Sequence, residues 1–371
     1  MNLETDNMSR EYYVAGDAHK DSVTVTVLDP KGKMIEQFEV PAKPSGMEDI
    51  IKKMNRKKFC YMAETSSYSI DLHNYLVSRG VDAILVDPKN LKLITDSHKK
   101  TDEHDSEILA KFLRLYRRGE IELSVSYIVQ DVDQEIRDIC RQRERYGKLK
   151  GQTVQRIRAH MRRNSEYIEE EVLDNFETES NRDKIRNMFG DDQALGNHLD
   201  DYTYYLGKCL KLDEQMSRFY KKSKNLAHQK ITLENEASVL KAQRFMEDVS
   251  LLESIPGIGL TTAIQLQSMI VDIDRFESSD KMRSFFGLAP NVRNSGGKTN
   301  HGHITKCGDP MMRSILSRVV NVYLRMKIPD ITEFYDTHVQ SMGKMKARIA
   351  CANKILDRIF SVLKRGTPYK F

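Results

Sequence analysis

Four acidic residues in the first third of the chain have the types and positions that metal-assisted phosphoryl transfer requires. Asp17 ends the first predicted strand, Glu64 ends the fourth, and Asp102 and Asp105 lie one helical turn apart on a shared helix face. Clustered carboxylates repel one another unless cations lie between them, and hard oxygen ligands suit Mg²⁺ or Mn²⁺ bound to phosphate. Taken singly, each acid is better explained as part of a solvated face. Their combination predicts a catalytic metal site.

A second candidate for chemistry is a serine in a basic, glycine-containing loop. Ser295 precedes two glycines, and a serine that attacks phosphorus needs exposure, backbone freedom and nearby cations. The cations close in sequence are Arg293, Lys298, Lys306 and Arg313. On local chemistry alone, a phosphate-binding loop without a covalent step is the better interpretation. His301 and His303 have the spacing of a zinc pair, but only Cys307 could join them, which disfavours a zinc site.

A basic segment in the middle of the chain predicts contacts with nucleic acid. Nine Lys or Arg residues lie between Arg141 and Arg163 against one acid, Glu144, whereas the net charge of the whole chain is only +5. Such a local excess attracts the phosphates of a duplex or a folded RNA. The candidate contacts are Arg141, Arg145, Arg156, Arg158, Arg162 and Arg163.

The turn at 256–259, Pro-Gly-Ile-Gly, resembles the hairpin of helix-hairpin-helix DNA-binding motifs. Gly257 and Gly259 would let backbone N–H groups approach a phosphate, and the next helix would present its N-terminus to the anion. The alternative is a tight turn between two packed helices.

The elements that must position these residues follow from the hydrophobic patterns. Strands are predicted at 12–16, 22–28, 34–40, 59–63 and 83–86, with helices at 46–54, 69–79, 89–97 and 102–117. The order β-β-β-α-β-α-β-α is that of the ribonuclease H-like fold. We therefore expect an α/β N-terminal domain that brings Asp17 and Glu64 to neighbouring strand ends.

The rest of the chain is predicted to be mainly helical. Residues 123–249 are polar and charged, and the apolar steps at Leu199, Tyr202 and Leu206 favour a helix pair or coiled coil over an exposed helical arm. The glycine-rich motifs fall in residues 250–326, within which 291–309 is predicted to be a flexible loop. A helical tail is predicted to follow at 327–371. The first domain is assigned to residues 10–122.

Composition excludes several classes of protein. With 371 residues, of which 39% are hydrophobic and 30% charged, the chain can form two domains and a connecting segment. The longest apolar runs, such as 23–28, are strand-length, and the first ten residues are polar. We expect a cytoplasmic protein without a membrane partner.

Short motifs distributed over residues 12 to 325 carry a resemblance to a known family. They are VAGDAHK at 14–20, Glu64 after its strand, KTDEHD at 100–105, IPGIG at 255–259 with Thr262-Ala263, FGLAP at 286–290, NSGGK at 294–298, ITKCGD at 304–309 and Met312-Arg313. Together they resemble the DEDD transposases of the insertion-sequence-110 family, including its 1111 subgroup, which are bridge-RNA-guided recombinases.

The resemblance implies roles for particular residues. It implies a RuvC-like N-terminal domain whose metal-binding tetrad is Asp17, Glu64, Asp102 and Asp105, and a C-terminal transposase domain whose nucleophile is Ser295. It further implies Mg²⁺, DNA ends and target DNA, a structured guide RNA, and a coiled-coil segment used to form a dimer or tetramer. The sequence departs from the family at Ser106, where many members have Ala, and at Cys307, where Arg or another polar residue is usual.

Two other functions compete with an RNA-guided transposase. One is a metal-dependent nuclease that resolves four-way DNA junctions with the carboxylates alone, and the other is a helix-hairpin-helix architectural protein on a ribonuclease H-like scaffold. The intact tetrad disfavours the architectural protein, and the serine loop disfavours the nuclease.

Overall fold

The computed structural model describes residues 11–87, 101–129, 131–164, 178–295 and 298–370, with the backbone alone described at 131–132, 164, 291–295 and 298–303. The chain divides into two compact units, Met1–Ile128 and Val129–Phe371. The first is an α/β unit and the second is mainly helical.

A five-stranded mixed sheet forms the N-terminal unit. Its strands are β1 (Tyr12–Ala18), β2 (Ser22–Leu28), β3 (Met34–Pro41), β4 (Phe59–Glu64) and β5 (Asp82–Val86), in the order β3-β2-β1-β4-β5. The first three strands pair antiparallel, whereas β4 runs parallel to both β1 and β5. The predicted mixed α/β character of this region is confirmed.

Helices cover both faces of the sheet because successive side chains of a strand point to opposite sides. Helices α1 (Pro44–Met54) and α2 (Ser69–Ser78) pack with Val14 and its neighbours on one face. Helix α3 (Asp102–Arg117) packs Leu109 and Leu113 on the other. The helix predicted at 89–97 lies outside the described residues.

Two long antiparallel helices open the second unit. They are α4 (Asp131–Asn164) and α6 (Gln193–Ala227), with α5 (Glu179–Phe189) between them in sequence and α7 (Glu236–Glu253) after them. Cys140 contacts Met216 at one end of the pair, and His160 contacts Asp192 at the other, which establishes the antiparallel direction. A helix pair was one of the two predicted arrangements, and both of its members come from this one chain.

The remaining elements form a second core around α8 (Leu260–Ile270), α10 (Pro310–Met326) and α12 (Lys344–Arg365). A short 3₁₀ turn at Ile273–Arg275, helix α9 (Ser279–Phe285) and helix α11 (Pro329–Met342) complete it. Ile264, Ile315 and Ile355 are each fully buried in this core. The segment predicted as a tail therefore contributes core side chains.

The segment predicted as a flexible loop at 291–309 contains two paired strands instead. Strands β6 (Pro290–Ser295) and β7 (Lys298–Ile304) are antiparallel, and Ser295 pairs with Lys298. The missed signal is the Gly-Gly sequence between two strand-length runs, which is typical of a β-hairpin. Four further glycine and asparagine residues, Asn291, Asn294, Asn300 and Gly302, hid the strand pattern, because these residues are depleted in strands.

Within the described part of the chain, no helix combines the length and the apolar character needed to cross a membrane.

Asp248 in α7 is an acid buried in the second core. Its carboxylate accepts a 2.7 Å hydrogen bond from Gln267 Nε2, and burial raises the pKa of this carboxyl to about 6, against the opposing effects of Arg244 and of the hydrogen bond from Gln267. Well below pH 4, the group is protonated in both the folded and the unfolded chain. As pH rises toward 6 the unfolded chain releases its proton first, so stability is lost across this window.

We expect Asp248→Asn to raise the free energy of unfolding at pH 8 by about 1–3 kcal/mol, because it keeps an oxygen acceptor for Gln267 without a buried charge. Urea unfolding at pH 4 and pH 8 measures this difference, which should be several times smaller at pH 4. Glu247→Gln, at the exposed neighbouring acid, should change little at either pH. An Asp248→Asn gain of the same size at both pH values would contradict the assignment of buried charge.

Candidate functional site

Two of the predicted acids lie at the same edge of the N-terminal sheet. Strands β1 and β4 are parallel and pair Gly16 with Ala63, so the next residue of each strand, Asp17 and Glu64, reaches the same level. The two-residue period places both side chains on the face that carries Ala15, which is the face covered by α3. Both acids are half-buried.

The other two acids enter from the first turn of α3. Thr101 caps this helix by accepting a hydrogen bond from the backbone N–H of His104, and Asp102 and Asp105 follow in the first turn. Carboxylates are stabilised at this end of a helix by its dipole. Asp105 lies on the same stripe as Leu109, which packs against the sheet, so the helix brings its acidic turn over the ends of β1 and β4.

A buried hydrogen-bond network fixes that first turn to the sheet. The hydroxyls of Thr26 and Ser106, both fully buried, share a 2.8 Å hydrogen bond. Gln37 Nε2 donates to Thr26 Oγ1 at 2.9 Å and to the carbonyl oxygen of Glu103 at 2.8 Å. The hydroxyl of Ser106 is thus hydrogen-bonded, and it ties α3 to β2 and β3.

His19 joins Asp17 and Asp102, and sequence reasoning did not select it. Its Nε2 lies 3.1 Å from Asp17 Oδ2 and 3.3 Å from Asp102 Oδ1. Among the described residues these three form the one group whose ligand atoms all lie within 4.8 Å of each other. The available signal was its place in the sequence, two residues after Asp17 and directly after the end of β1.

The electrostatics of the group reflect burial and crowding. Burial raises the pKa of Asp17, and Asp102 and Asp105 add to that rise while His19 opposes it. Burial disfavours the charged imidazole of His19, but the carboxylates of Asp17 and Asp102 outweigh this effect, so its pKa is also raised. A site in which burial and neighbouring acids disfavour the ionised form of Asp17, with oxygen and imidazole donors converging, fits a divalent cation.

The tetrad is therefore brought together in part. Asp17 and Asp102 both contact His19, and Asp105 is close enough to raise the pKa of Asp17. Glu64 stands at the same sheet edge and has an interaction of its own, but its oxygens and those of Asp105 are not in the 4.8 Å group.

Ser295 is the last residue of β6, and its backbone pairs with Lys298 at the start of β7. Arg293 pairs with Asn300 two positions earlier. The side chains of Ser295, Arg293 and Lys298 lie outside the described part of the structure, so their predicted roles rest on the sequence. Lys306, which follows β7, is exposed and has a φ of +54°.

Next to β6 and β7, the chain segments that contain Gly287 and Gly308 approach each other closely. A Cβ atom at Gly287 would lie 1.9 Å from the carbonyl oxygen of Cys307, and one at Gly308 would lie 2.1 Å from that of Phe285. Both glycines have positive φ, at +68° and +84°, so neither position accepts another residue without strain. Arg313, predicted as a phosphate contact, directs Nη1 at the carbonyl oxygens of this region.

The glycine turn at 256–259 joins α7 to α8. Gly257 has a φ of +79°, and Gly259 is the N-cap of α8 with no atom within 4 Å of the place a Cβ would occupy. The backbone at Gly259 is thus open to close approach, as the predicted phosphate contact requires. A turn between packed helices has the same glycine requirement at Gly257, so the helix-hairpin-helix role stays a prediction.

Most of the arginines predicted on α4 are exposed. Arg145, Arg156, Arg162 and Arg163 are exposed, and Arg158 is half-buried and has an interaction within the chain. Arg141 is also exposed, but its Nε donates to Asp309 at 3.0 Å. The end of α4 distant from Arg141 therefore offers the stronger candidate surface for phosphates.

Comparisons with known proteins agree with these features. A family model described as "Transposase IS116/IS110/IS902 family" matches residues 249–336, and a model of the DEDD transposases of IS110, described as "Transposase", matches residues 14–165. The first covers the glycine turn and the β6–β7 hairpin, and the second covers the sheet, the acids and α4. Together they match more than half of the chain.

Curated relatives include transposases from several bacteria. The transposase for insertion sequence element IS1111A of Coxiella burnetii is 30% identical over 127 residues, 33% of this chain and 35% of the relative. The transposase for insertion sequence element IS1533 of Leptospira borgpetersenii is 23% identical over 283 residues, 75% of each chain. A pilin gene-inverting protein of Moraxella lacunata is 30% identical over 123 residues, 32% of this chain and 38% of the relative.

The alignments with the first and third of these relatives thus span little more than a third of their lengths, whereas the second extends over most of both chains. The two family models match the chain in sequence order, one over the acids and the other over strands β6 and β7 with Ser295. Two of the relatives described above are named transposases. The chain belongs to the IS110 family of transposases.

Proposed function

We propose that this transposase cuts and rejoins DNA strands through a covalent phosphoserine link at Ser295, assisted by a divalent-metal site at Asp17, Glu64, Asp102 and Asp105. The observation that carries the proposal is the convergence of Asp17 and Asp102 at the sheet edge, in a chain that matches the family in both units. The mixed sheet with helices on both faces supports a RuvC-like assignment for the first unit.

The acidic site would bind Mg²⁺ or Mn²⁺. Asp17 and Asp102 supply carboxylate oxygens, and His19 offers a nitrogen ligand beside them. A bound divalent cation would stabilise negative charge that develops at a DNA phosphate. The protein holds the ligands in place through the hydrogen bonds of Thr26, Ser106 and Gln37, so little reorganisation is needed when a phosphate enters.

The serine would act as the nucleophile. Its oxygen forms a bond to phosphorus as the bond to the departing sugar oxygen breaks, the serine proton is released, and the sugar oxygen takes up a proton. The phosphodiester energy is kept in the protein–DNA ester, so the reverse reaction can rejoin strands without ATP. A position at the end of β6, next to two glycines, suits in-line approach. The relative named for inverting a pilin gene supports rejoining.

The nucleic-acid partners would be the element ends, the target DNA and a structured guide RNA, bound by a homo-oligomer. The exposed arginines near the end of α4 support a phosphate-binding role, as does the open backbone at Gly259. These groups contact phosphates, so they fix position and leave sequence choice to base pairing.

A metal-dependent junction nuclease that uses the carboxylates alone is the second candidate. The converging acids favour it to the same degree, because hydrolysis needs only the metal site. The two functions differ in whether a protein–DNA bond forms.

Ser295→Ala should bind DNA as the natural protein does and form no covalent adduct, because it lacks the attacking oxygen while its strand is unchanged. The measurement is gel analysis of the full chain with a DNA substrate that traps the intermediate, followed by mass spectrometry of the linked peptide. Ser314→Ala, at a serine in α10, is the matched control and should retain the adduct. Recombination by Ser295→Ala, or an adduct on a tyrosine, would favour the nuclease or another nucleophile.

Alanine at Asp17, Glu64, Asp102 or Asp105 should abolish recombination and leave the fold intact, since these acids crowd one another in the folded chain. We further expect Mn²⁺ to raise the midpoint of thermal unfolding of the natural protein and to have little effect on Asp17→Ala. Asp21→Ala, at an exposed acid near the site, should behave as the natural protein. Full activity in excess chelator would overturn the metal assignment.

Reversing Arg156, Arg158, Arg162 and Arg163 to Glu should weaken nucleic-acid binding and reduce its salt dependence, since each lost phosphate contact lowers the slope of log affinity against log salt by up to about one unit. Filter binding at several salt concentrations measures that slope. The matched control reverses four exposed lysines of α6: Lys211, Lys221, Lys222 and Lys224. Equal slopes for the natural and arginine-reversed proteins would make this part of α4 a solvated surface.

A further inference from the structure

Arg313 lies in the first turn of α10 and directs its side chain at backbone carbonyls. Nη1 lies 3.1 Å from the carbonyl oxygen of Phe286, 3.3 Å from that of Gly308 and 3.4 Å from that of Cys307. Guanidinium is a pure donor that stays charged at any physiological pH, so it is suited to hold several carbonyl dipoles together. One side chain thereby links the end of α9 to the segment that enters α10.

The two linked segments, residues 286–289 and 305–308, directly precede β6 and follow β7. We call them together the hairpin base. The backbone N–H of Thr305 donates to Ala289 at 3.0 Å, and that of Lys306 donates to Gly287 at 3.1 Å. The hairpin base thus continues the backbone pairing beyond the strands, and Arg313 contacts the end of the base farthest from Ser295.

The hairpin base has little freedom to adopt another geometry. At Gly287 and Gly308 the two backbones are too close for any Cβ atom, as described above. This approach also brings the carbonyl oxygens of Phe286, Cys307 and Gly308 toward one point, where they repel one another unless a donor lies between them. Arg313 supplies that donor, and its charge strengthens each hydrogen bond.

We propose that Arg313 is a positioning residue that fixes the hairpin base, and through it the place of Ser295, rather than a phosphate contact. The proposal rests on the role of Ser295 proposed above. Strand β6 starts at Pro290, directly after the base, and after a register shift between Pro290 and Val292 its pairing runs to Ser295. A change in how the base is held is therefore transmitted along the paired strands to the serine.

Hydrogen exchange of the full chain without DNA tests the first half of the proposal. In Arg313→Ala the amides of Thr305 and Lys306 should exchange about tenfold faster, because the base that holds them opens more often. Arg325→Ala removes an exposed arginine from the last turn of the same helix and should leave this exchange unchanged. Unchanged exchange in Arg313→Ala would overturn the proposal.

DNA binding and adduct formation test the second half. A positioning role predicts that Arg313→Ala forms the serine adduct at least about tenfold more slowly, with a salt slope equal to that of Arg325→Ala. A slope about one unit lower than in Arg325→Ala would identify a phosphate contact and overturn the proposal. Faster exchange with an undiminished adduct rate would also overturn it, since the base would then not control the serine.

Arg313→Lys guards against a folding defect in the alanine variant. It keeps the charge that a phosphate would need but loses the planar fork, so it should share the direction of the exchange and adduct changes. Behaviour identical to the natural protein in both assays would overturn the proposal. An absence of adduct in the natural protein would overturn the role of Ser295 itself, and the exchange result would then report only on how the hairpin base is held.

Discussion

Repulsion between carboxylates is the constraint on which the N-terminal unit depends. Asp17 and Asp102 come from residues separated by 85 positions, and the charge of Asp102 adds to the rise that burial causes in the pKa of Asp17. The fold keeps them together through interactions that do not involve the acids. The parallel pairing of β1 with β4 fixes the position of Asp17, and the packing of the apolar face of α3 against the sheet fixes the position of Asp102. The hydrogen bonds among Thr26, Gln37 and Ser106 then prevent the first turn of α3 from moving away.

Much of this unit could be predicted because the signals are local. The alternation of Val23, Val25 and Val27 specifies a strand, and a strand end specifies where Asp17 must lie. The contacts that complete the site are not local. Gln37 is 66 residues from the carbonyl of Glu103 to which it donates, and no periodicity in the sequence connects the two.

In the second unit the sequence predicted the mainly helical character, but it did not show where the side chain of Arg313 points. The cations near Ser295 were all candidates for phosphate, because proximity in sequence carries no information about where a long side chain points. Arg313 directs a nitrogen at carbonyl oxygens of its own chain. The paired strands β6 and β7 were missed for a related reason: glycine and asparagine indicate a loop by composition, whereas pairing partners decide whether a strand forms.

The antiparallel pair α4–α6 has a consequence for how the arginines are displayed. The apolar positions of α4, such as Ile157 and Met161, are buried with Leu199 and Tyr202 of the same polypeptide. Formation of this pair is an intramolecular event, so its equilibrium does not depend on protein concentration. The exposed arginines of α4 are therefore held in place by packing within a single chain, at any protein concentration.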